Sequence, residues 1–162
     1  MFQRTLFATA IAAASVMPAF AHHDGDTAST SGIVVSHAHT VEVSATAHSM
    51  DVFLTIENTS DVAVTLTGAS VDFAADGVFQ APSVDDSGKM SVREVTALEI
   101  APGQVLTMQP SGVHVVFHDV KRAFEAGEHF HADLTFEDVG TLEIEVEVEA
   151  GDHDLEHDAE TS

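Results

Sequence analysis

The sequence predicts an all-β domain, an antiparallel sandwich or barrel of about seven to nine strands. Three observations lead there. Apolar residues recur at every second position in several stretches, as they do in strands with one buried and one solvated face. Turn residues, mostly Pro, Gly, Asn and Asp, separate those stretches. Outside the N-terminal leader no 3.6-residue apolar stripe is sustained, so no amphipathic helix is expected.

The chain opens on Met1–Phe2–Gln3–Arg4, a short basic start, and continues into an apolar run from Leu6 to Ala14. That run is too short to cross a bilayer comfortably, and Ala19–Phe20–Ala21 is an A-x-A cleavage pattern. Residues 1–21 therefore read as a signal peptide. The mature chain starts at His22, exported to the periplasm in a bacterial source, with no membrane insertion after cleavage. Residues 22–31 (HHDGDTASTS) have no apolar face and read as a flexible His/Asp arm. The β-domain is assigned to residues 32–149. Within it Val62, Val64 and Leu66 alternate with Ala63, Thr65 and Thr67. Phe130, Ala132, Leu134 and Phe136 point one way, with His129, His131 and Asp133 the other. Leu142, Ile144, Val146 and Val148 alternate with Glu143, Glu145, Glu147 and Glu149, which makes a strand with one apolar and one carboxylate-lined face. Turns are expected at Asn58–Asp61, Ala101–Gly103, Gln109–Gly112 and Asp138–Gly140. Residues 150–162 lose the alternation and read as an acidic, His-containing tail.

Composition removes several function classes. The 162 residues include 27 Asp and Glu against five Lys and Arg, a formal charge of −22. Nucleic-acid binding needs cations that displace phosphate counterions, so that class is excluded, and anionic membrane surfaces fall by the same sign argument. The absence of Cys removes disulfides, thiolate metal sites and cysteine nucleophiles. No nucleophile elbow, phosphate loop or dinucleotide fingerprint is present, and no enzyme is expected.

What remains is 11 His and five Met. Imidazole binds copper and zinc, and thioether sulfur is soft and selects Cu(I). A His/Met set without Cys is the ligand chemistry of exported copper handling. His114 and His118 share a strand face but stand about 13 Å apart, so only a bulge or near-linear coordination brings both to one metal. His37/His39 and His129/His131 have the shorter i,i+2 spacing, but it better suits exposed polar residues alternating with a buried face.

The segment Pro110–Ser111–Gly112–Val113–His114–Val115–Val116 resembles the P-G-G-x-H-x-M stretch of the periplasmic copper chaperone family PCu(A)C. Other landmarks follow in order: Val52–Asn58, a strand ending in Asn; Leu98–Gly103, an x-Pro-Gly turn; and Glu125–Gly127 with Leu134–Gly140, a final hairpin. The similarity runs from about Ile33 to Val148. It implies a cupredoxin-like Greek-key β-sandwich that holds Cu(I) with two His and two Met. It also implies delivery to the Cu(A) centre of cytochrome c oxidase beside Sco-type partners. His114 matches the downstream His, and Met90 the first Met. The downstream Met falls at Val116, and the upstream His at Phe79 or Gln80, so the motif is degenerate.

The metal candidates are therefore Met90 and His114 first, then His118. His22, His23, His153 and His157 in the terminal tracts are suited to Cu(II) or zinc. The expected function is a copper metallochaperone. Its rivals are a family-fold interaction protein without copper, and a Cu(II)/Zn(II) buffer working through its termini.

Overall fold

The computed structural model describes residues 27–151. Eleven strands follow in order: β1 (Ala28–Thr30), β2 (Ile33–Val41), β3 (Ser49–Asn58), β4 (Val64–Ser70), β5 (Val78–Val84), β6 (Met90–Val95), β7 (Leu98–Ile100), β8 (Val105–Thr107), β9 (His114–His118), β10 (His129–Phe136) and β11 (Gly140–Glu149). No helix occurs among the described residues, so none there is long and apolar enough to cross a membrane. Hydrogen bonding runs β6-β5-β9-β3-β2-β11-β10-β4-β7, with β1 on β2 and β8 on β3. This run bends at β2 and β3 and folds into the two layers of a β-sandwich. Phe79, Val115 and Phe117 from one arm pack in a single cluster with Leu66, Leu134 and Phe136 from the other.

The alternations in the sequence are those of the structure. Leu142, Ile144, Val146 and Val148 are all buried, as are Phe130, Ala132, Leu134 and Phe136. Each fully buried Phe or Leu adds about 1.5–3 kcal/mol of burial free energy. With 26 residues in the buried apolar cluster, no metal is needed to build the core. The chain is therefore expected to unfold cooperatively, with an unchanged urea midpoint, after exhaustive EDTA treatment. A broad, non-cooperative transition in the chelated protein would contradict this.

The structure departs from the sequence reading in several places. One pairing, β2 with β11, is parallel, and every other named strand pairing is antiparallel. Alternation shows which face is buried but not which strand lies alongside. Eleven strands replace the expected seven to nine because several, such as β7 and β8, are three residues long and leave no periodic trace. Ala28–Thr30, assigned by composition to the flexible arm, forms β1 on the edge of β2. Its turn works because Ser31 (φ 45°) and Gly32 (φ 83°) both adopt left-handed backbone, which matches the twist of a tight hairpin. Val62 lies before β4 and is exposed, so that strand's alternation starts at Val64.

A bulge in β2 shifts its alternation. Ser36 faces Thr55 and His39 faces Phe53, so three steps on β2 answer two on β3. His37 takes the extra place with φ 53°. Buried positions pass from Ile33 and Val35 to Ala38 and Thr40, and His39 is turned onto the outer face of the bend.

Candidate metal centre

In β9, Val115 and Phe117 enter the core, whereas His114 and Val116 lie on the opposite face. Two neighbours fix the surroundings of His114. β5 pairs Gln80 with it, and β3 brings Phe53 alongside, with ring centroids 5.9 Å apart. Phe53 in turn meets His39 at 5.5 Å, so Gln80, His114, Phe53 and His39 form one row across four strands. His114 is buried, and its Nδ1 lies 3.0 Å from the Gly112 carbonyl. A carbonyl only accepts, so Nδ1 carries the proton and Nε2 presents its lone pair for a metal. The Gly112 turn that supplies this carbonyl is closed by Gly112 N–H donating to Gln109 O at 2.8 Å.

Met90 starts β6 and is 68% exposed, whereas Met50 and Met108 are 2% and 3% exposed in the core. Among the described residues it is thus the one methionine whose sulfur is not spent on packing. The β5–β6 connection holds it in place. One Asp85 carboxylate oxygen accepts from the Ser87 hydroxyl at 2.6 Å, and from the Ser87 and Lys89 N–H groups at 2.9 Å each. The Ser87 hydroxyl, followed by the Lys89 amide, holds the Asp85 carboxyl below its ordinary pKa. The turn therefore keeps its charged acceptor to lower pH than an ordinary aspartate would.

Met90 and His114 line the same depression of about 250 Å³, together with Pro82, Val92, Pro110 and Gly112. They are not in contact range along the strands. Met90 pairs with Val84, four residues along β5 from Gln80, which is about 13 Å of strand. A larger open cleft of about 1010 Å³ adjoins at Pro110, but neither imidazole nor thioether lines it.

Phe79 and Gln80, the two positions the resemblance offers for the upstream histidine, differ in burial. Phe79 is 2% exposed within the core, and Gln80 is the residue abreast of His114. Val116 sits between Asp51 and Val78 on that outer face and offers no donor atom. His118 stands exposed at the far end of β9, and the unbroken β3–β9 register contains no bulge to carry it toward His114. In the His37/His39 pair, the His39 Nδ1 is engaged with the His37 carbonyl at 3.0 Å. His22, His23, His153 and His157 lie outside the described residues, as does the signal peptide. No group of three or more His, Asp or Glu side chains is arranged to hold a metal among the described residues. The His39–Phe53–His114 row was not foreseen; nothing in the sequence announces the bulge that creates it.

This two-layer fold, with an oriented imidazole and a free thioether at one end of β9, is a PCu(A)C domain fold. The apo PCuAC domain from PmoF1 superposes with TM-score 0.68 at 20% identity, over 78% of this chain and all of that one. The copper-bound PCuAC domain from PmoF2 gives 0.66 at 20% identity, covering 78% and 99% of the two chains. The Cu(I) form of DR1885 from Deinococcus radiodurans gives 0.58 at 25% identity, covering 72% and 77%. No curated protein sequence matches. The chain belongs to the LpqE-like lipoprotein family, whose profile matches residues 33–148.

Proposed function

We propose that this chain is a copper metallochaperone of the bacterial periplasm, binding copper and passing it on by ligand exchange. One observation carries the reading: an exposed thioether, Met90, and an imidazole already oriented by the Gly112 carbonyl, His114, face a common depression. This is a soft, Cys-free donor pair, which suits Cu(I) over zinc. The likeness to domains whose copper-bound and Cu(I) forms are known supports it. The reading assigns no reaction to the chain, only the binding and transfer of a metal ion. Delivery to the Cu(A) centre of cytochrome c oxidase, beside a Sco-type partner, is the route that the family resemblance suggests.

A second reading rests on Val116 and on Phe79 or Gln80, the positions where the resemblance puts a methionine and a histidine. With two donors replaced, the domain keeps the fold as an interaction protein without copper. A competitive Cu(I) titration separates the two. His114→Ala and Met90→Leu should each lower affinity at least tenfold, because each removes one of the two soft or borderline donors that line the depression. Unchanged affinity in both folded variants would sink the chaperone reading.

A further inference from the structure

The outer face of the β10–β11 hairpin carries a second arrangement of imidazoles, far simpler than the first. His129 and His131 alternate with the core residues Phe130 and Ala132, so both rings rise from the same face about 6.7 Å apart. Their side chains are 49% and 64% exposed. Each imidazole has a glutamate behind it, two residues along β11 from its Cα partner. His129 Nδ1 faces Glu145 Oε1 at 3.4 Å, and His131 Nδ1 faces Glu143 Oε1 at 3.6 Å. The Cα partners are instead His129 with Glu147 and His131 with Glu145, so the same diagonal contact is made twice.

We propose that His129 and His131 form a chelating site for a divalent first-row cation, Cu(II) or Zn(II), with Glu145 and Glu143 orienting the two rings. A carboxylate 3.4–3.6 Å from Nδ1 favours the tautomer that keeps the proton on that side, which leaves the Nε2 lone pair for a metal. Two such nitrogens two residues apart on a strand clasp one ion. Water completes the coordination, which is why no cluster of three protein ligands is required. The site has no thioether, so it does not compete for Cu(I) with the Met90–His114 depression.

The surrounding field favours a cation. Asp133 on β10 and Glu147 and Glu149 on β11 share the face of the two histidines, and Asp72 lines the adjoining depression. Arg122 is the one Lys or Arg on that depression's wall. Its guanidinium lies 4.2 Å above the Phe124 ring and 3.6 Å from Glu128, so it is held against those groups. An open site with two protein ligands exchanges its ion readily, as a holding site must.

The test is a Zn(II) titration of the whole chain from His22, by calorimetry, in a background where His22, His23, His153 and His157 are changed to Gln. His129→Gln or His131→Gln should each lower the affinity of the remaining site at least tenfold. The pair Glu143→Gln with Glu145→Gln should lower it about tenfold, the range typical of lost orienting carboxylates. Asp133→Asn removes one charge from the same face without touching a ring, and should change affinity less than twofold. All these positions are solvent-facing, and circular dichroism checks that each variant is folded. The proposal is overturned if the His129→Gln/His131→Gln variant binds Zn(II) as tightly as its parent. It is equally overturned if Asp133→Asn weakens binding as much as the Glu pair does, since charge alone would then explain the effect. Competitive Cu(I) affinity should be the same in all of them, so this result stands apart from the fate of the Met90–His114 site.

Discussion

Changing Gln80 to His and Val116 to Met together should raise Cu(I) affinity at least about a hundredfold. Gln80 is the Cα partner of His114, so an imidazole at that position stands beside the existing one on the neighbouring strand. Val116 lies two residues from His114 on the same face, where a flexible thioether reaches the same depression. A hundredfold gain is about 2.7 kcal/mol, modest for two added metal ligands. The cost falls on packing, since Val116 is 5% exposed and a longer side chain there strains the outer face by about 1–3 kcal/mol. The expected result is thus a tighter but less stable protein, read by competitive Cu(I) titration beside urea unfolding. If the folded double variant binds no better than the parent, the β5–β6 hairpin does not bring Met90 over His114, and the copper reading loses its geometry.

Asn58→Ala should destabilise the domain by about 3–5 kcal/mol, a large part of the 5–15 kcal/mol typical of a single domain. Asn58 is 0% exposed at the end of β3. Its Nδ2 donates to Ile100 O at 2.9 Å and to Val62 O at 2.7 Å. Its Oδ1 accepts from the Ser60 amide at 3.0 Å and the Ser60 hydroxyl at 2.7 Å. The backbone of the same residue closes onto the β7–β8 turn, through Gln104 O at 3.0 Å and Gly103 N at 2.7 Å. Removing the amide strands the Ile100 carbonyl inside the protein, where an unpaired polar group is costly. Ser60→Ala, which removes one hydroxyl at the rim of the same network, should cost about 1 kcal/mol. A loss below about 1 kcal/mol for Asn58→Ala in urea unfolding would show that water replaces the amide. The Cu(I) affinity of the folded fraction should not change, because Asn58 does not line the depression.

Asn58, His114 and Met90 mark how far the sequence could be read. Asn58 stood out as the end of a landmark strand, but only the structure gives its role as the hydrogen-bonded tie between the β3–β4 and β7–β8 connections. His114 and Met90 were legible by residue type and order, and the structure places both on one depression. It also separates them along the hairpin, a distance that no spacing in the sequence carries.

The sequence alone determined what depends on local pattern. Period-two alternation follows from strand geometry, so the buried faces of β10 and β11 could be read from their residues. Tertiary structure decided what depends on neighbours. The parallel β2–β11 pairing, the β2 bulge that aims His39 at Phe53, and the choice of Gln80 over Phe79 as His114's companion all arise where two distant segments meet. A strand's alternation is set by its own residues, but its register is set by the strand it lies against, and metal ligands are assembled by register.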